Sequence, residues 1–254
     1  MTPCAACGGT VAPDGHCWDC GETQPAFRAH LEHALGPGAG VSDRGHRRQI
    51  NADALALTTS GAWTIGVVCD GVSMSPRAER AAQVAAETGA AALATEMEAR
   101  TVPEVAHEVA AIRAGRAVAA LATSVNTAPA CTYVAGLIGP AGIWVGWVGD
   151  SRAYWLPDEG PGMALTEDDI GEHEALAAWL GADAAETSPH GRSYRPQGPG
   201  SLLLCTDGLW RYLGDARSLQ SELKGNPLED AQRLVAYALD AGGHDNVTAL
   251  VIRR

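Results

Sequence analysis

The sequence predicts an α+β domain preceded by a small metal-binding module, and three observations carry that prediction. Strand-like apolar runs recur near 53–59, 63–69, 131–138, 142–148, 152–156, 201–206 and 247–252. Two long Ala-rich segments with helical periodicity, about 76–100 and 104–125, follow one another directly, and a second helical pair lies near 215–223 and 227–241. Strands grouped before and after paired helices argue against strict β-α-β alternation. Finally, four of the seven cysteines fall within the first twenty residues, as CAAC and CWDC.

Taken in order, residues 1–27 read as a minimal zinc ribbon. Each C-x-x-C pair is followed by Gly, which permits the tight turn that brings backbone N–H groups to face sulfur. Nine residues separate Cys7 from Cys17, so the module has no room for a core of its own. Metal binding by Cys4, Cys7, Cys17 and Cys20 then supplies most of its folding energy. Residues 1–27 contain no Lys or Arg, which disfavours nucleic acid and favours docking to protein. Residues 28–40 (RAHLEHALGPGAG) read as a short helical linker ending in a Gly/Pro hinge. The main domain is expected over 41–254.

Composition limits the function further. The 254 residues are 46% hydrophobic, enough for a full core, and carry a formal net charge of -12. A chain this acidic is a poor general ligand for nucleic acid, because phosphate binding requires a basic face. No apolar run is long enough to span a bilayer, and the N-terminus lacks a basic region followed by an apolar stretch. A soluble cytoplasmic protein is the expectation. The remaining cysteines, Cys69, Cys131 and Cys205, sit singly in apolar runs and read as buried side chains.

The chemistry is carried by aspartates at strand ends. Asp70 in VVCDGVSMS and Asp207 in LLLCTDGLW each follow a core-like strand and precede Gly, while Asp53, Asp150 and Asp245 occupy INADAL, VGDSRAY and GGHDNVT. Singly, an Asp-Gly pair is a turn signal. Gathered at one end of a strand stack, several carboxylates repel one another unless cations meet them, and Mg²⁺ and Mn²⁺ prefer such oxygen ligands. A pair of divalent ions activates water for attack at phosphorus and requires no side-chain nucleophile. Consistent with that, G-x-S-x-G is absent. Arg48, in SDRGHRRQINAD, is the candidate phosphate-binding cation.

In order, SDRGHRRQINAD, VVCDGVSMS, CTYVAGLI, WVGDSRAYWL, ALTEDD, LLLCTDGLW and GGHDNVTALVI resemble the successive motifs of the metal-dependent protein phosphatases (PPM family, type 2C serine/threonine), in their bacterial form. The resemblance covers nearly all of Val41 to Ile252. It implies a central antiparallel β-sandwich flanked by paired helices, four layers αββα, with a binuclear Mn²⁺ or Mg²⁺ site at one end. Asp70 would bridge the ions, the Gly71 carbonyl would bind one, and Asp207 and Asp245 the other. Asp53 would act through metal-bound water, Asp150 with Asp207 would hold a third, weaker ion, and Asn246 would shape the turn presenting Asp245. Arg48 would grip the phosphate of a phosphoprotein made by a serine/threonine kinase.

The chain departs from this pattern at three places. The acid implied before Asp53 is Ala52, Val72-Ser73-Met74 follows Gly71 where a His is common, and the region 170–200 is short. A phosphoprotein-binding or regulatory module without turnover is the alternative function. Glu167-Asp168-Asp169 reads as a solvated loop. His190 and His244 lie near site loops but are not expected as ligands, and Trp144, Trp147 and Trp155 are expected to pack in the core or at its rim.

Overall fold

In the computed structural model, which describes residues 3–12, 15–24, 28–124, 127–184 and 188–254, the apolar runs form two antiparallel sheets packed face to face. Across one sheet lie β1 (His30–Leu35), β2 (Gly38–Asp43), β13 (Val247–Arg253), β12 (Gly200–Cys205), β8 (Arg152–Pro157) and β9 (Met163–Ala164). Across the other lie β11 (His190–Tyr194), β7 (Gly142–Val148), β6 (Tyr133–Gly139), β4 (Trp63–Asp70) and β3 (Asp53–Ser60). A two-stranded pair, β5 (Ala130–Cys131) with β10 (Leu180–Gly181), extends beside the second sheet.

Three apolar clusters define the four layers. Between the sheets, Leu55, Val68, Val134 and Val145 meet Leu202, Leu204, Leu250 and Ile252. On the outer face of the five-stranded sheet, α1 (Ala78–Glu98) and α2 (Pro103–Ala119) pack through Ala81, Ala85, Ala110 and Ala114 against Val67, Tyr133 and Leu137. On the six-stranded sheet, α3 (Asp207–Trp210), α4 (Ala216–Glu222) and α5 (Pro227–Asp240) cover Val41, Leu203 and Val251. Alanine suits the first helix pair because a helix without bulky side chains approaches a sheet closely. Within the sandwich, glycine does the same. A Cβ at Gly136 would lie 2.6 Å from Leu202, and one at Gly66 would overlap Leu250. Each fully buried leucine contributes about 1.5–3 kcal/mol.

The helices start where local chemistry allows it. Asn226 caps α5 by accepting from the N–H groups of Leu228 and Glu229, and Asp215 caps α4 through Arg217 and Ser218. Pro103 and Pro227 occupy first-turn positions, where their missing N–H costs nothing.

The expected helical linker at 28–40 is corrected. Residues 30–35 form β1, which pairs with β2 so that Leu35 opposes Gly38. Gly36, at φ +57°, provides the left-handed turn residue between them. The side chains of β1 are nearly all exposed, so no buried stripe selects a helix, and backbone pairing at the sheet edge decides the conformation. The ribbon limit expected at residue 27 lies outside the described residues. No helix among the described residues is long and apolar enough to cross a membrane.

Candidate metal centre

Two sites with metal-ligand chemistry are present, and the smaller one is local. The Sγ atoms of Cys4, Cys7, Cys17 and Cys20 all lie within 4.8 Å of one another. The Cys4–Cys20 and Cys7–Cys17 pairs are 3.7 and 3.5 Å apart. A tetrahedron with Zn–S bonds of about 2.3 Å has edges of about 3.8 Å, so these four sulfurs fit zinc. The N–H groups of Ala6 and Asp19 point at Cys4 and Cys17 Sγ at 3.4 Å, as the C-x-x-C turns require. Hydrogen bonds to sulfur lower the Cys4 thiol to about 6.

The larger site is assembled from both sheets. Asp70 ends β4 and stands opposite Asp53, the first residue of β3. Asp207 opens α3 directly after β12 and Thr206, Asp245 stands two residues before the start of β13, and Asp150 lies in the turn between β7 and β8. These strand ends meet at one edge of the sandwich, and the acids perturb each other. Burial, reinforced by Asp53, Asp207, Asp150 and Asp245, pushes Asp70 well above the usual carboxylate range. Burial, with Asp207 and Asp245 nearby, raises Asp53 to about 7 against two hydroxyl donors that lower it. Asp150 is raised to about 6 by burial and by Asp207. A fold that keeps so many carboxylates together stores repulsion that a divalent cation relieves.

Small polar residues that the motifs did not flag hold Asp53 and brace the Asp70 and Asp150 turns. The Thr206 and Thr248 hydroxyls both donate to Asp53 Oδ2 at 2.8 Å, leaving Oδ1 buried without a partner. Thr132 Oγ1 accepts from the Asp70 N–H at 3.0 Å and lies 2.7 Å from Ser151 Oγ, joining the Asp70 and Asp150 turns. Asn51 accepts from the Asp53 N–H and donates to Ser42. Their signal is a hydroxyl beside or near each acid, as in CTD, GDS and DNVT. Asn246, expected to shape the turn presenting Asp245, directs its side chain to the 44–52 loop. Its side chain accepts from Ala52 N–H and donates to the carbonyls of Arg44 and Ile50, locking the 44–52 loop onto β13.

Glycines close the site. A Cβ at Gly71 would lie 2.6 Å from the Ala78 carbonyl and 2.8 Å from that of Ala52, so the start of α1 abuts the Asp70-Gly71 turn. A Cβ at Gly208 would run into the Asn246 carbonyl, which packs the Asp207 and Asp245 turns against each other.

Two arginines engage the acids. Arg48 donates to Asp245 Oδ1 and Oδ2 at 2.7 and 2.6 Å, a bidentate pair. Arg211, which the motifs did not single out, donates to Asp207 Oδ2 at 2.8 Å. Among the described residues the four cysteines are the one group of His, Cys, Asp and Glu side chains gathered closely enough to hold an ion as they stand. The aspartates share one electrostatic environment but not yet one cage.

The expectation of a solvated loop at Glu167-Asp168-Asp169 holds for the exposed Glu167 but is corrected for Asp168 and Asp169. Asp168 takes two hydrogen bonds from Arg152, at 2.8 and 2.7 Å, and Arg152 in turn lies 3.7 Å over the Trp210 ring. Asp169 accepts from the Gly149 N–H and pairs with His190, bracing the turn that carries Asp150. The acidic run hid these roles because their partners lie on other strands. His190 stacks on Trp147, and the His244 ring lies 6.3 Å from Tyr212. Trp147 and Trp155 are buried, while Trp144 packs edge-on against Trp63 at the rim.

With this geometry in view, comparisons with known proteins agree on one family. A family profile described as protein phosphatase 2C matches residues 42–239. A Mycobacterium tuberculosis serine/threonine phosphatase, PstP/Ppp, is similar at 26% identity and a TM-score of 0.69, covering 84% of this chain and 96% of that one. The catalytic domain of PstP in complex with two manganese ions is similar at 25% identity and TM-score 0.68, covering 85% and 97%. Stp1 from Staphylococcus aureus shares the fold at 20% identity and TM-score 0.70, covering 89% and 98%. No curated protein gives a significant match. Sheet order, the meeting of acids from both sheets and a profile spanning most of the chain converge: the chain belongs to the protein phosphatase 2C family.

Proposed function

We propose that the chain hydrolyses phosphoserine and phosphothreonine monoesters on proteins, using Mn²⁺ or Mg²⁺ at the aspartate site and holding a structural Zn²⁺ at its four cysteines. The reading is supported by the convergence of strand-end aspartates at one sandwich edge, Asp53 opposite Asp70, Asp150 joined to them through Ser151 and Thr132, and Asp207 and Asp245 engaged by arginines, with burial first and the neighbouring acids second raising Asp53, Asp70 and Asp150. Divalent ions supply a low-pKa water and neutralise phosphoryl charge in an in-line displacement. Asp70 and the Gly71 carbonyl, with Asp207 and Asp245, are the residues to hold two of them, and Asp150 with Asp207 a weaker third.

With a cation held at Asp245, Arg48 would be free to leave that carboxylate for the substrate phosphate, a ligand its guanidinium matches equally well. Asp53, kept in place by Thr206 and Thr248, accepts from the attacking water and so orients it. Val72-Ser73-Met74 offers no imidazole, so the leaving alkoxide takes its proton from solvent. The substrate is a phosphoprotein of a serine/threonine kinase, and the setting is cytoplasmic. The ribbon over residues 1–27, with Trp18 72% exposed, also offers a surface for a protein partner.

The test is hydrolysis of a phosphothreonine peptide with and without Mn²⁺, using Asp207→Asn as control. Metal-dependent turnover in the parent, lost in the variant, is the expected result. A parent that binds the phosphopeptide without turnover would replace this reading with the binding-module alternative.

A further inference from the structure

The ribbon is not a free appendage. The buried Thr23 hydroxyl donates to Glu79 Oε1 at 2.7 Å, and His16 Nε2 lies 3.8 Å from the same oxygen. Glu79 belongs to the first turn of α1, next to Ala78, whose carbonyl packs against Gly71. Ribbon and site therefore meet across one helical residue. Between them is a small cavity lined by His16, Thr23, Arg28, Asn51, Asp53, Glu79 and Gln83, with room for about one water. Asp53 is only 6% exposed, and its Oδ1 is a buried acceptor without a hydrogen-bond partner among the described residues.

Glu79 already accepts from Thr23, whereas Asp53 Oδ1, on the same small polar space, still lacks a donor. A water placed there would donate one hydrogen bond to Asp53 Oδ1 and one to Glu79, and would keep its oxygen lone pairs for a cation. Position 52, which adjoins Asp53 and whose carbonyl also packs on Gly71, is an alanine and brings no carboxylate of its own. Glu79 is the acid that the fold brings to this place, and the ribbon fixes its orientation.

We propose that Glu79 is a positioning residue for the divalent-metal centre, presented by the ribbon through Thr23, so that the cysteine module tunes metal affinity at the aspartates. This rests on the proposed metal-dependent activity and names a regulator of that same site. Glu79 acts through water and through Asp53 rather than on substrate, so its loss alters metal affinity more than turnover.

The experiment titrates Mn²⁺ into the full-length protein by calorimetry and follows p-nitrophenyl phosphate hydrolysis against Mn²⁺ concentration, with bound zinc measured in each sample. Glu79→Gln is expected to weaken Mn²⁺ binding about tenfold, with zinc content unchanged and kcat at saturating Mn²⁺ within about twofold of the parent. Thr23→Val is expected to weaken it about threefold, and Trp18→Ala, on an exposed ribbon side chain, not at all. Parental Mn²⁺ affinity in Glu79→Gln would overturn the proposal, as would equal losses in Trp18→Ala and Thr23→Val. A parent that binds no Mn²⁺ would instead overturn the metal-site reading on which the proposal stands.

Discussion

The cysteine site and the aspartate site obey opposite rules of construction. The first draws all four ligands from seventeen consecutive residues, and its sulfurs already sit at tetrahedral spacing. The second draws on turns from residue 53 to residue 245, contributed by both sheets, and its acids are engaged by hydroxyls and arginines. On the proposed reading, metal would make the fold of the ribbon, whereas the sandwich fold itself gathers the acids and bears their charge repulsion. The burial that builds the sandwich core also raises Asp53 and Asp70. Function here is bought with local stability.

That contrast is sharpened most by Asp70→Asn. Mn²⁺-dependent hydrolysis should fall by at least about 10³-fold, while the melting temperature in EDTA should rise, because Asn carries neither the buried charge nor the proton that Asp70 must take up to avoid it. A lower melting temperature would contradict the claim of stored repulsion. Arg48→Ala should cost about 10²-fold in kcat/KM for a phosphopeptide. Because the variant frees Asp245 from its bidentate partner, calorimetry should show Mn²⁺ bound at least as tightly as in the parent.

Smaller effects test the ribbon side. Cys17→Ser should abolish zinc binding and expose the backbone amides of residues 3–24 to hydrogen exchange. The amides of β4, β12 and β13 should stay protected, since their hydrogen bonds lie within the sandwich. Loss of protection across the sheets as well would make the two regions one cooperative unit.

The smallest effect is a pH slope. Asp53 at about 7 and Asp150 at about 6, with Asp70 raised further by burial, hold protons in the folded state that the unfolded chain releases near the ordinary carboxylate range. Folded stability in EDTA is therefore full below that range and falls as pH rises through 6 and 7. Melting temperatures at pH 5 and 7.5 should differ by a few degrees in EDTA, and saturating Mn²⁺ should remove the slope. A slope of opposite sign would mean that the acids are not mutually strained.

Legibility in the sequence followed the same division between local and distant. The C-x-x-C pairs could be read because spacing alone places their sulfurs. Buried strands and the long helix pair were readable because their faces are apolar, and Asp70-Gly71 and Asp207-Gly208 stood out by ending such strands. Strand β1 was not, because an edge strand with exposed side chains has no apolar stripe, so its GPG turn passed for a hinge. Asp168 and Asp169 passed for solvated charge because Arg152 and His190 reach them from other strands. Thr132, Thr206 and Thr248 escaped notice for a related reason. A hydroxyl in an apolar run reveals its purpose only when the acid it serves is folded against it.

The central claim is that acids from both sheets close around paired divalent ions. Anomalous scattering from crystals soaked in Mn²⁺ tests it directly. The account expects two manganese peaks about 3.5–4 Å apart, bridged by Asp70, with Asp207 and Asp245 on one ion and the Gly71 carbonyl on the other, and Arg48 withdrawn from Asp245. Manganese absent from this sandwich edge at saturating concentration, with Arg48 still paired to Asp245, would contradict it.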